Sequence, residues 1–281
     1  MTSAAWKVAG NVIDLTNRAM IMGVLNVTPD SFSDGGQFFA TEAAVEHGIE
    51  MARSGADIID IGGESTRPGA RQVSPNDELA RILPVVEQLA KGTLVHLSID
   101  TSKASVARTA LEAGAVIIND ITGGRGDPEM FALAAETQAA IILMHMQGTP
   151  QTMQVNPTYQ DVVPEVADFF RQQYDCAVRS GIDPMCIAFD PGIGFGKTPA
   201  HNLELLANLS RLRVHDRPLV VGVSRKSFLG KIAPTPLAKG DATVALTSLL
   251  RERGAQVLRV HDVAPNANAL RATEALLAAS R

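Results

Sequence analysis

The sequence predicts an α/β protein of the (β/α)8 or TIM barrel class, preceded by a short N-terminal β-hairpin. Eight short apolar runs recur along the chain, each with the length of a strand that is buried on both faces. They cover residues 20–25, 58–61, 94–99, 116–118, 141–144, 186–189, 219–223 and 257–260. The stretches between them place apolar residues at helical spacing. Eight strand–helix units in about 250 residues match this barrel, whereas a doubly wound sheet usually has fewer strands and a Gly-rich first turn.

The N-terminal segment, residues 1–18, predicts the hairpin. Two short segments flank the pair Gly10 and Asn11, which suits a turn with positive φ. From there to residue 281, no long linker and no shift in composition divides the chain. We therefore predict one barrel domain over residues 1–281, with the hairpin covering one end of it.

Capping residues mark several helix boundaries. Thr41 begins the first predicted helix, and the Ser-Pro pair at 74–75 begins the second, which Pro84 is expected to kink or shorten. The Asp-Pro pair at 127–128 repeats the signal for a helix start. Glycine suits the left-handed residue that ends a helix, and it stands just before three predicted strands. These glycines are Gly55, Gly114 and Gly254.

Composition argues against several functional classes. The 281 residues are 46% hydrophobic and only 4% aromatic, and they carry a net charge of −5. Nucleic-acid binding by a basic face or by stacked aromatic rings is therefore not expected. No apolar run approaches the roughly twenty residues that span a bilayer, and residues 1–7 lack the pattern of a signal peptide. We predict a cytoplasmic protein without membrane contact, in which Cys176 and Cys186 are free thiols.

The stretch 21–36 is the first candidate for chemistry. It begins as an apolar run and changes at Asn26 to small polar residues, while Pro29 and the pair Gly35 and Gly36 exclude regular structure. Carboxamide, hydroxyl and carboxylate groups thus follow a core strand directly. An ordinary surface turn is the alternative interpretation, and the other strand ends decide between the two.

Every predicted strand ends in polar or titratable residues. Active sites of these barrels form at the carboxyl ends of the strands, so we expect the residues there to form one pocket. They are Asn26, Asp60, Gly62, Gly63, Asp100, Asn119, Asp120, Met144, His145, Asp190, Ser224, Arg225, Lys226, Arg259 and His261. Buried polar groups need partners, and a polar ligand would supply them. The alternative is that they satisfy one another in a hydrogen-bond network that closes the barrel.

The chemistry of these side chains falls into two groups. Asp100, Asn119 and Asp190 offer acceptors and an amide, which match a flat heterocycle with several N–H groups. A second group supplies positive charge suited to phosphate. Its members are Arg67, Arg225, Lys226, Arg259 and His261. The expected ligand is polar, nitrogen-rich and anionic at one end.

Three motif-like patterns fail to support other chemistries. Residues 192–198 look like a phosphate-binding P-loop, but Pro191 takes the place of its first glycine and Pro199 interrupts the following helix. Ser224 lacks the glycine of a nucleophile elbow, because Lys226 occupies that place. The six histidines and two cysteines show no zinc-ligand spacing.

Several sequence blocks in chain order resemble the dihydropteroate synthases, enzymes of folate biosynthesis. The blocks are 22–36, 61–70, 98–102, 118–121, 143–148, 190–197 and 221–230. The resemblance implies a (β/α)8 barrel, in agreement with the strand count. It also implies a transferase that condenses 6-hydroxymethyl-7,8-dihydropterin pyrophosphate with p-aminobenzoate, giving 7,8-dihydropteroate and pyrophosphate, with Mg²⁺ as cofactor. A homodimer and a p-aminobenzoate site that binds sulfonamides belong to the same expectation.

The resemblance further assigns roles to residues of this chain. The pterin site would comprise Asp100, Asn119, Met144, Asp190 and Lys226. The pyrophosphate site would comprise Asn26, Thr66, Arg67, Arg259 and His261. The p-aminobenzoate site would comprise Phe32, Thr66, Pro68, Phe195 and Ser227, and the metal ligands would be Asn26 and Asp34. The residues expected to act in catalysis are Asp100, Lys226, Asp34 and Arg67.

A dissociative reaction path is the mechanistic hypothesis that accompanies these roles. Departure of pyrophosphate would leave a methylene cation conjugated with the pterin ring, and Asp100 would stabilise that cation. Loops 27–36 and 64–69 would close over the site and exclude water. Phe195 has the alternative role of packing its loop, and Asp60 and His145 are interpreted as structural.

Three other functions stay open at the level of sequence. A barrel that transfers a methyl group from methyltetrahydrofolate belongs to the same superfamily, but the 26–36 loop and residues 224–227 favour pyrophosphate chemistry. A pterin-binding paralogue without activity is the second alternative, although every residue wanted for turnover is present. A Schiff-base aldolase using Lys226 is the third, and borohydride would trap it with its keto substrate.

Overall fold

The fold is an eight-stranded parallel barrel with helices around it and a hairpin at one end. In a computed structural model of the chain, residues 4–28, 36–65, 69–70, 72–232 and 235–280 are described, with the backbone only at 36–39, 232 and 236–238. The strands are β1 (Ala5–Val8), β2 (Asn11–Asp14), β3 (Met20–Asn26), β4 (Ile58–Gly62), β5 (His96–Asp100), β6 (Ile117–Asp120), β7 (Ala140–Met144), β8 (Ile187–Asp190), β9 (Val220–Gly222) and β10 (Val257–Val260). The helices are α1 (Gly36–Arg53), α2 (Pro75–Gly92), α3 (Ala104–Glu112), α4 (Met130–Thr137), α5 (Val162–Arg179), α6 (Pro199–Ala207), α7 (Leu229–Ile232), α8 (Pro236–Glu252) and α9 (Val263–Ala279).

The barrel strands pair in parallel and in chain order from β3 to β8, and β10 pairs with both β3 and β9. A bridge between Phe189 and Leu219 brings β9 beside β8, next to the hydrogen bond from Phe189 N to Pro218 O at 2.9 Å. These contacts bring the two ends of the sheet together into a nearly closed barrel. The predicted fold class is therefore confirmed.

Side chains alternate between two cores along each barrel strand, as the period of a strand requires. On β4, Ile59 and Ile61 face the surrounding helices in one large apolar core. Ile58 on β4 and Val257 on β10 instead belong to a smaller apolar core inside the barrel. Two residues further along these strands, the interior positions hold Asp60 and Arg259. The interior therefore changes from apolar to charged between the two ends of the barrel.

The hairpin covers the end of the barrel where the strands begin. The turn between β1 and β2 is formed by Ala9 and Gly10, with φ of 49° and 77°, and Asn11 already belongs to β2. The hairpin is thus confirmed, but its turn lies one residue earlier than predicted, because the two-residue loop needs positive φ at both positions. Trp6 is fully buried in the interior core and donates from Nε1 to Cys186 O at 2.9 Å. The hairpin does not cover the opposite end of the barrel, where the strands end.

The helix signals are confirmed in part. Ser74 caps α2, accepting a hydrogen bond from Asp77 N at 3.1 Å, and α2 continues past Pro84 to Gly92. The expected shortening at Pro84 was wrong, because a buried apolar face extends on both sides of the proline and holds the helix against the barrel. That face comprises Ile82, Val85, Val86 and Leu89. Gly55, Gly114 and Gly254 have φ between 100° and 118°, as predicted for helix ends.

Other boundaries differ from the prediction. Helix α4 begins at Met130, two residues after the 127–128 pair. Asp127 still caps the turn that leads into it, since Oδ1 accepts from Glu129 N at 3.0 Å, while Oδ2 accepts from Ala104 N at 2.8 Å at the start of α3. Helix α1 begins at Gly36, five residues before Thr41. The expectation that Gly36 excludes regular structure was therefore wrong, since glycine is tolerated in the first turn of a helix. Strand β5 begins at His96, and Leu94 is fully exposed. No helix in the described part of the chain has the length and hydropathy needed to cross a lipid bilayer.

Candidate active site

A charged network occupies the interior at the carboxyl ends of the strands. Asp60 Oδ2 accepts from Arg259 Nε at 2.6 Å and from Asn119 Nδ2 at 3.0 Å, while its Oδ1 accepts from Ser98 Oγ at 2.7 Å. Arg259 Nη2 donates to Asp100 Oδ2 at 2.7 Å. Asp60 is 1% exposed, so these bonds replace the water that its charge has lost. The network proposed as an alternative to ligand binding therefore exists, and Asp60 is its centre.

Strand register explains why these residues meet. Asn26 pairs with Gly62, Gly62 with Asp100, and Asp100 with Asn119, so four neighbouring strands end at one level. Gly62 contributes no side chain to this level. A Cβ placed there would lie 3.8 Å from both Asn26 Oδ1 and Asp100 Oδ2. The missing side chain leaves a small space faced by two oxygen atoms.

One pocket brings together the five residues predicted for a pterin. Asp100, Asn119, Met144, Asp190 and Lys226 all line it, and so do Arg259 and Phe195. The enclosed space is about 20 Å³, which holds roughly one water molecule. A bicyclic ligand therefore requires some of these side chains to move on binding.

Burial changes the protonation of the carboxyl groups in this pocket. Burial, with a smaller contribution from the nearby charge of Asp60, raises the pKa of Asp100 to about 7 against the opposing effect of Arg259. Burial also raises the pKa of Asp190, which the hydrogen bond from Gly192 N to its Oδ1 at 2.7 Å opposes. A partner that supplies N–H groups or positive charge thus stabilises the charged form of each carboxylate.

The two basic groups of the pocket shift in opposite directions. Burial and the neighbouring Arg259 lower the pKa of Lys226 to about 8. Burial lowers the pKa of Arg259 as well, but Asp60 and Asp100 raise it by more, so the net shift is upward. Arg259 stays charged under all ordinary conditions, whereas Lys226 can lose its charge at mildly alkaline pH.

The loop after β8 places Phe195 against Lys226. The Lys226 Nζ lies 4.1 Å from the centroid of the Phe195 ring, within the range of a cation–π contact. The ring is 8% exposed and packs with Ile121, Met144 and Met153. Phe195 therefore does both things that the sequence left open: it packs its loop and it lines the pocket.

Other predicted residues lie at the edge of the site or outside it. His261 Nδ1 is 3.1 Å from Ser224 Oγ, and neither residue lines the pocket of Lys226. Arg225 has φ of 59° and donates to Asp262 Oδ1 at 2.9 Å on the surface, so its expected place among the pocket cations was wrong. Ser227 is exposed beyond the pocket. Phe32, Asp34, Thr66, Arg67 and Pro68 lie outside the described residues.

A wider cavity of about 380 Å³ adjoins the pocket and shares Asp100 and Ile121 with it. Glu64 and Glu78 line it on the side of α2, and Lys103 forms ion pairs with both of them. Asp100 therefore lies between the cavity and the pocket. Among the described residues, no cluster of three His, Cys, Asp or Glu side chains has the arrangement of a metal site.

His145 and Lys197 were not given functional roles by the sequence. Burial lowers the pKa of His145 to about 2, so the ring is neutral and structural, as predicted. Lys197 is 2% exposed and bonds backbone carbonyl groups of its own loop and of the segment after β7. The burial of Lys197 depends on a segment some fifty residues away, and no local pattern indicates it.

Known proteins resemble this chain in both sequence and fold. The sequence profile of the family described as "Pterin binding enzyme" matches residues 22–261. The dihydropteroate synthase of Synechocystis is 46% identical over 271 residues, which are 96% of this chain and 94% of the relative. The chain belongs to the dihydropteroate synthase family. The resemblance seen in the sequence blocks is thereby confirmed.

Solved structures of the family agree over the whole fold. The dihydropteroate synthase of Xanthomonas albilineans with 4-aminobenzoic acid has a TM-score of 0.90 and 44% identity, covering 99% of each chain. The dihydropteroate synthase of Burkholderia cenocepacia complexed with 7,8-dihydropteroate has a TM-score of 0.89 and 40% identity, covering 100% of this chain and 99% of that one. Members of this family are transferases, and so is this protein.

Proposed function

We propose that this protein condenses 6-hydroxymethyl-7,8-dihydropterin pyrophosphate with p-aminobenzoate, giving 7,8-dihydropteroate and pyrophosphate in folate biosynthesis. The observation that carries the proposal is the convergence of Asp100, Asn119, Asp190 and Lys226 in one barrel pocket beside Arg259. Two family members supply further support, since one was solved with 4-aminobenzoic acid and one with 7,8-dihydropteroate.

The pterin is the part of the substrate that fits the deep pocket. Asp190 Oδ1 accepts from Gly192 N, whereas its Oδ2 accepts no hydrogen bond from the described residues. A carboxylate oxygen of this kind in the pocket favours a ligand that brings N–H donors, as the amino and ring N–H groups of a pterin do. Asn119 and the Lys226 ammonium would meet the acceptors on the ring. Binding would thus replace the water that these groups lose.

Arg259 is the cation placed to receive the pyrophosphate. In this structure it is paired with Asp60 and Asp100 at the inner end of the site. We infer that the pyrophosphate takes over one of these contacts, so that Asp60 keeps the guanidinium in place while Asp100 is freed from it. The freed carboxylate then faces the pterin methylene carbon without a neutralising partner.

The chemical step would break the bond between that carbon and the pyrophosphate oxygen. The electron pair leaves with pyrophosphate, and the positive charge on the methylene spreads into the pterin ring. Asp100 stabilises this cation as a fixed negative charge in a place of low dielectric. The amine of p-aminobenzoate then forms the new carbon–nitrogen bond, and its proton passes to water or to the departed pyrophosphate. A secondary isotope effect near unity at the methylene hydrogens would contradict this dissociative path.

Mg²⁺ belongs to the proposal because the chain offers hard oxygen donors at the right end of the barrel. Asn26 Oδ1 and Asp100 Oδ2 face the same small space above Gly62, and oxygen ligands are what Mg²⁺ prefers. Asn26 and Asp34 would hold the ion, which supplies charge neutralisation to the pyrophosphate when bound. We also propose a homodimer and a cytoplasmic location, and sedimentation of the purified protein would measure the first of these.

Direct product analysis tests the proposed function. Purified protein is mixed with Mg²⁺, the pterin pyrophosphate and p-aminobenzoate, and 7,8-dihydropteroate is sought by mass spectrometry. We expect product that requires both substrates. Absence of product from a folded protein that binds the pterin would instead support the inactive paralogue.

A further inference from the structure

Lys197 is a buried cation that the proposed reaction does not use. Its side chain is 2% exposed. Its Nζ lies 3.1 Å from Gly192 O, 3.0 Å from Phe195 O and 3.2 Å from His145 O, and 2.9 Å from His145 Nδ1. The ammonium therefore bonds two carbonyl groups of the loop 191–197 to one carbonyl group of the segment that follows β7.

Burying an ammonium group among carbonyl partners costs more free energy than burying an apolar side chain of the same size. Burial lowers the pKa of Lys197 to about 7, and only the more distant charge of Asp190 opposes this effect. An apolar residue of the same size would avoid the cost, but it would leave Phe195 O and His145 O without a donor, whereas Gly192 O would keep the bond from Phe195 N at 3.0 Å. We therefore explain the burial of the Lys197 side chain by the loop that its hydrogen bonds hold in place.

The loop lies so close to its neighbour that only glycine fits at two positions. A Cβ on Gly192 would lie 1.9 Å from His145 O, and a Cβ on Gly196 would lie 2.5 Å from Gln147 O. Both glycines also have positive φ, at 64° and 60°. Lys197 thus joins two segments that are in direct backbone contact.

Two further side chains bond two more carbonyl groups of the loop. Gln154 Nε2 donates to Gly194 O at 2.7 Å, and Tyr159 OH donates to Gly196 O at 2.8 Å. The carbonyl groups of residues 192, 194, 195 and 196 therefore all have side-chain donors. Of these three donors Lys197 is the only charged one, and it serves two of the four.

This loop carries two of the contacts that Lys226 makes. The Phe195 ring lies under the Lys226 ammonium, and a Cβ on Gly194 would be 3.2 Å from Lys226 Cδ. A shift of the loop would therefore move Phe195 and release the Lys226 side chain together. Asp100 depends less on the loop, because it ends β5. Asp190 ends β8 directly before the loop and accepts from Gly192 N at 2.7 Å, so the loop contacts it through one backbone hydrogen bond.

We propose that Lys197 is a positioning residue for the aromatic-amine side of the active site. By bonding Gly192 and Phe195 through their carbonyl oxygens, it holds the Phe195 ring against Lys226 and so defines the wall that the amine substrate meets. The proposal rests on the proposed function for the identity of that substrate. The loop-holding role itself does not depend on it.

Substitution of Lys197 in the full-length chain tests the proposal. We expect Lys197→Met to raise the KM for p-aminobenzoate about tenfold, the effect of losing roughly 1.4 kcal/mol of interaction, and the KM for the pterin pyrophosphate less than about threefold. Lys91→Met, which removes an exposed lysine at the end of α2, should change neither value. Equal increases in both KM values, or a lower melting temperature with both KM values unchanged, would overturn the proposal.

Hydrogen exchange supplies a readout that needs no activity. The amides of residues 192–197 should exchange faster in Lys197→Met than in the parent protein, while those of β8 and β10 stay protected. If the parent forms no dihydropteroate, the proposed function fails, and this measurement still tests the loop. Gln154→Ala covers the case in which Lys197→Met does not fold, since Gln154 is exposed, and it should raise the KM for p-aminobenzoate about threefold. Unchanged exchange or an unchanged KM would contradict the proposal.

Discussion

The two ends of the barrel are built from the same strands and have opposite chemistry. At the closed end, Trp6 and Leu15 of the hairpin region pack with Ile58 and Val257 in a fully apolar core. At the open end, beyond the apolar positions of the strands, the interior is occupied by titratable groups of both signs. They are Asp60, Asp100, Asp190, Lys226 and Arg259. The closed end of the interior thus stabilises the fold, and the open end contains buried polar groups that a ligand can satisfy with hydrogen bonds.

Substitutions at the two ends should therefore have different effects. Burial of apolar side chains stabilises the fold, so changes at the closed end should cost stability and leave the chemistry alone. Buried charges contribute little net stability, so changes at the open end should affect catalysis more than folding. This distinction would be wrong if substitutions at one end had the effects on stability and catalysis expected at the other.

The largest expected effect is on activity at the open end. We predict that Lys226→Ala lowers kcat/KM at least about 1000-fold, because the pocket loses its ammonium and the partner of Phe195. The melting temperature should change by only a few degrees, since removal of this buried charge also removes the cost of burying it. Steady-state kinetics and calorimetry measure the two quantities. Turnover near the parent value would remove Lys226 from the site.

The second prediction concerns stability at the closed end. Trp6→Ala should reduce the free energy of unfolding by about 3–5 kcal/mol, because it deletes a fully buried indole and its hydrogen bond. Activity per folded molecule should stay at the parent value when measured well below the melting temperature. Trp6→Phe is the matched control and should cost less. A fall in activity beyond the unfolded fraction would show that the two ends are coupled.

The third prediction is a narrow pH optimum. Asp100, with a pKa raised to about 7, must lose its proton to act, so kcat/KM for the pterin substrate should fall tenfold per unit below pH 7. Lys226, with a pKa lowered to about 8, must keep its proton, so the same value should fall above pH 8. Lys226→Arg keeps its charge and should lose the alkaline limb. A flat profile from pH 5 to pH 10 would contradict both assignments.

The smallest effect is expected from Asp60→Asn. The negative charge of Asp60 raises the pKa of Asp100, so its removal should move the acid limb to lower pH by up to about one unit. Asn119 and Arg259 lose a charged acceptor, and activity should fall about tenfold at the optimum. Asp57→Asn, at the other end of β4, is a control for a lost carboxylate. An acid limb that does not move would place Asp60 outside the electrostatics of the site.

The sequence predicts the barrel well because its signals are local. Each strand is an apolar run of the right length, and its polar end is visible in the next one or two residues. The same signals indicate that Asp100, Asn119 and Asp190 share a pocket, since parallel strands end at the same edge. Local signals also explain the errors: at Leu94 apolar character alone extended a strand into an exposed position.

Other features depend on contacts between distant residues and are not predictable from the sequence alone. Arg225 and Lys226 are adjacent cations, and only the left-handed backbone at Arg225 directs one to Asp262 and the other to the pocket. The role of Asp60 as the shared partner of Asn119 and Arg259 needs three strands in register. The role of Lys197 depends on which carbonyl groups lie next to its ammonium group in the folded chain.

Calorimetric titration of the pterin pyrophosphate into the parent protein and into Asp190→Asn measures whether the polar strand ends hold the pterin ring. If the polar strand ends form one pterin pocket, the parent binds with one site per chain, and Asp190→Asn binds at least about 100-fold more weakly while unfolding at the same temperature. Equal affinity of the two proteins would contradict the account, because the carboxylate at the end of β8 would then take no part in holding the ring.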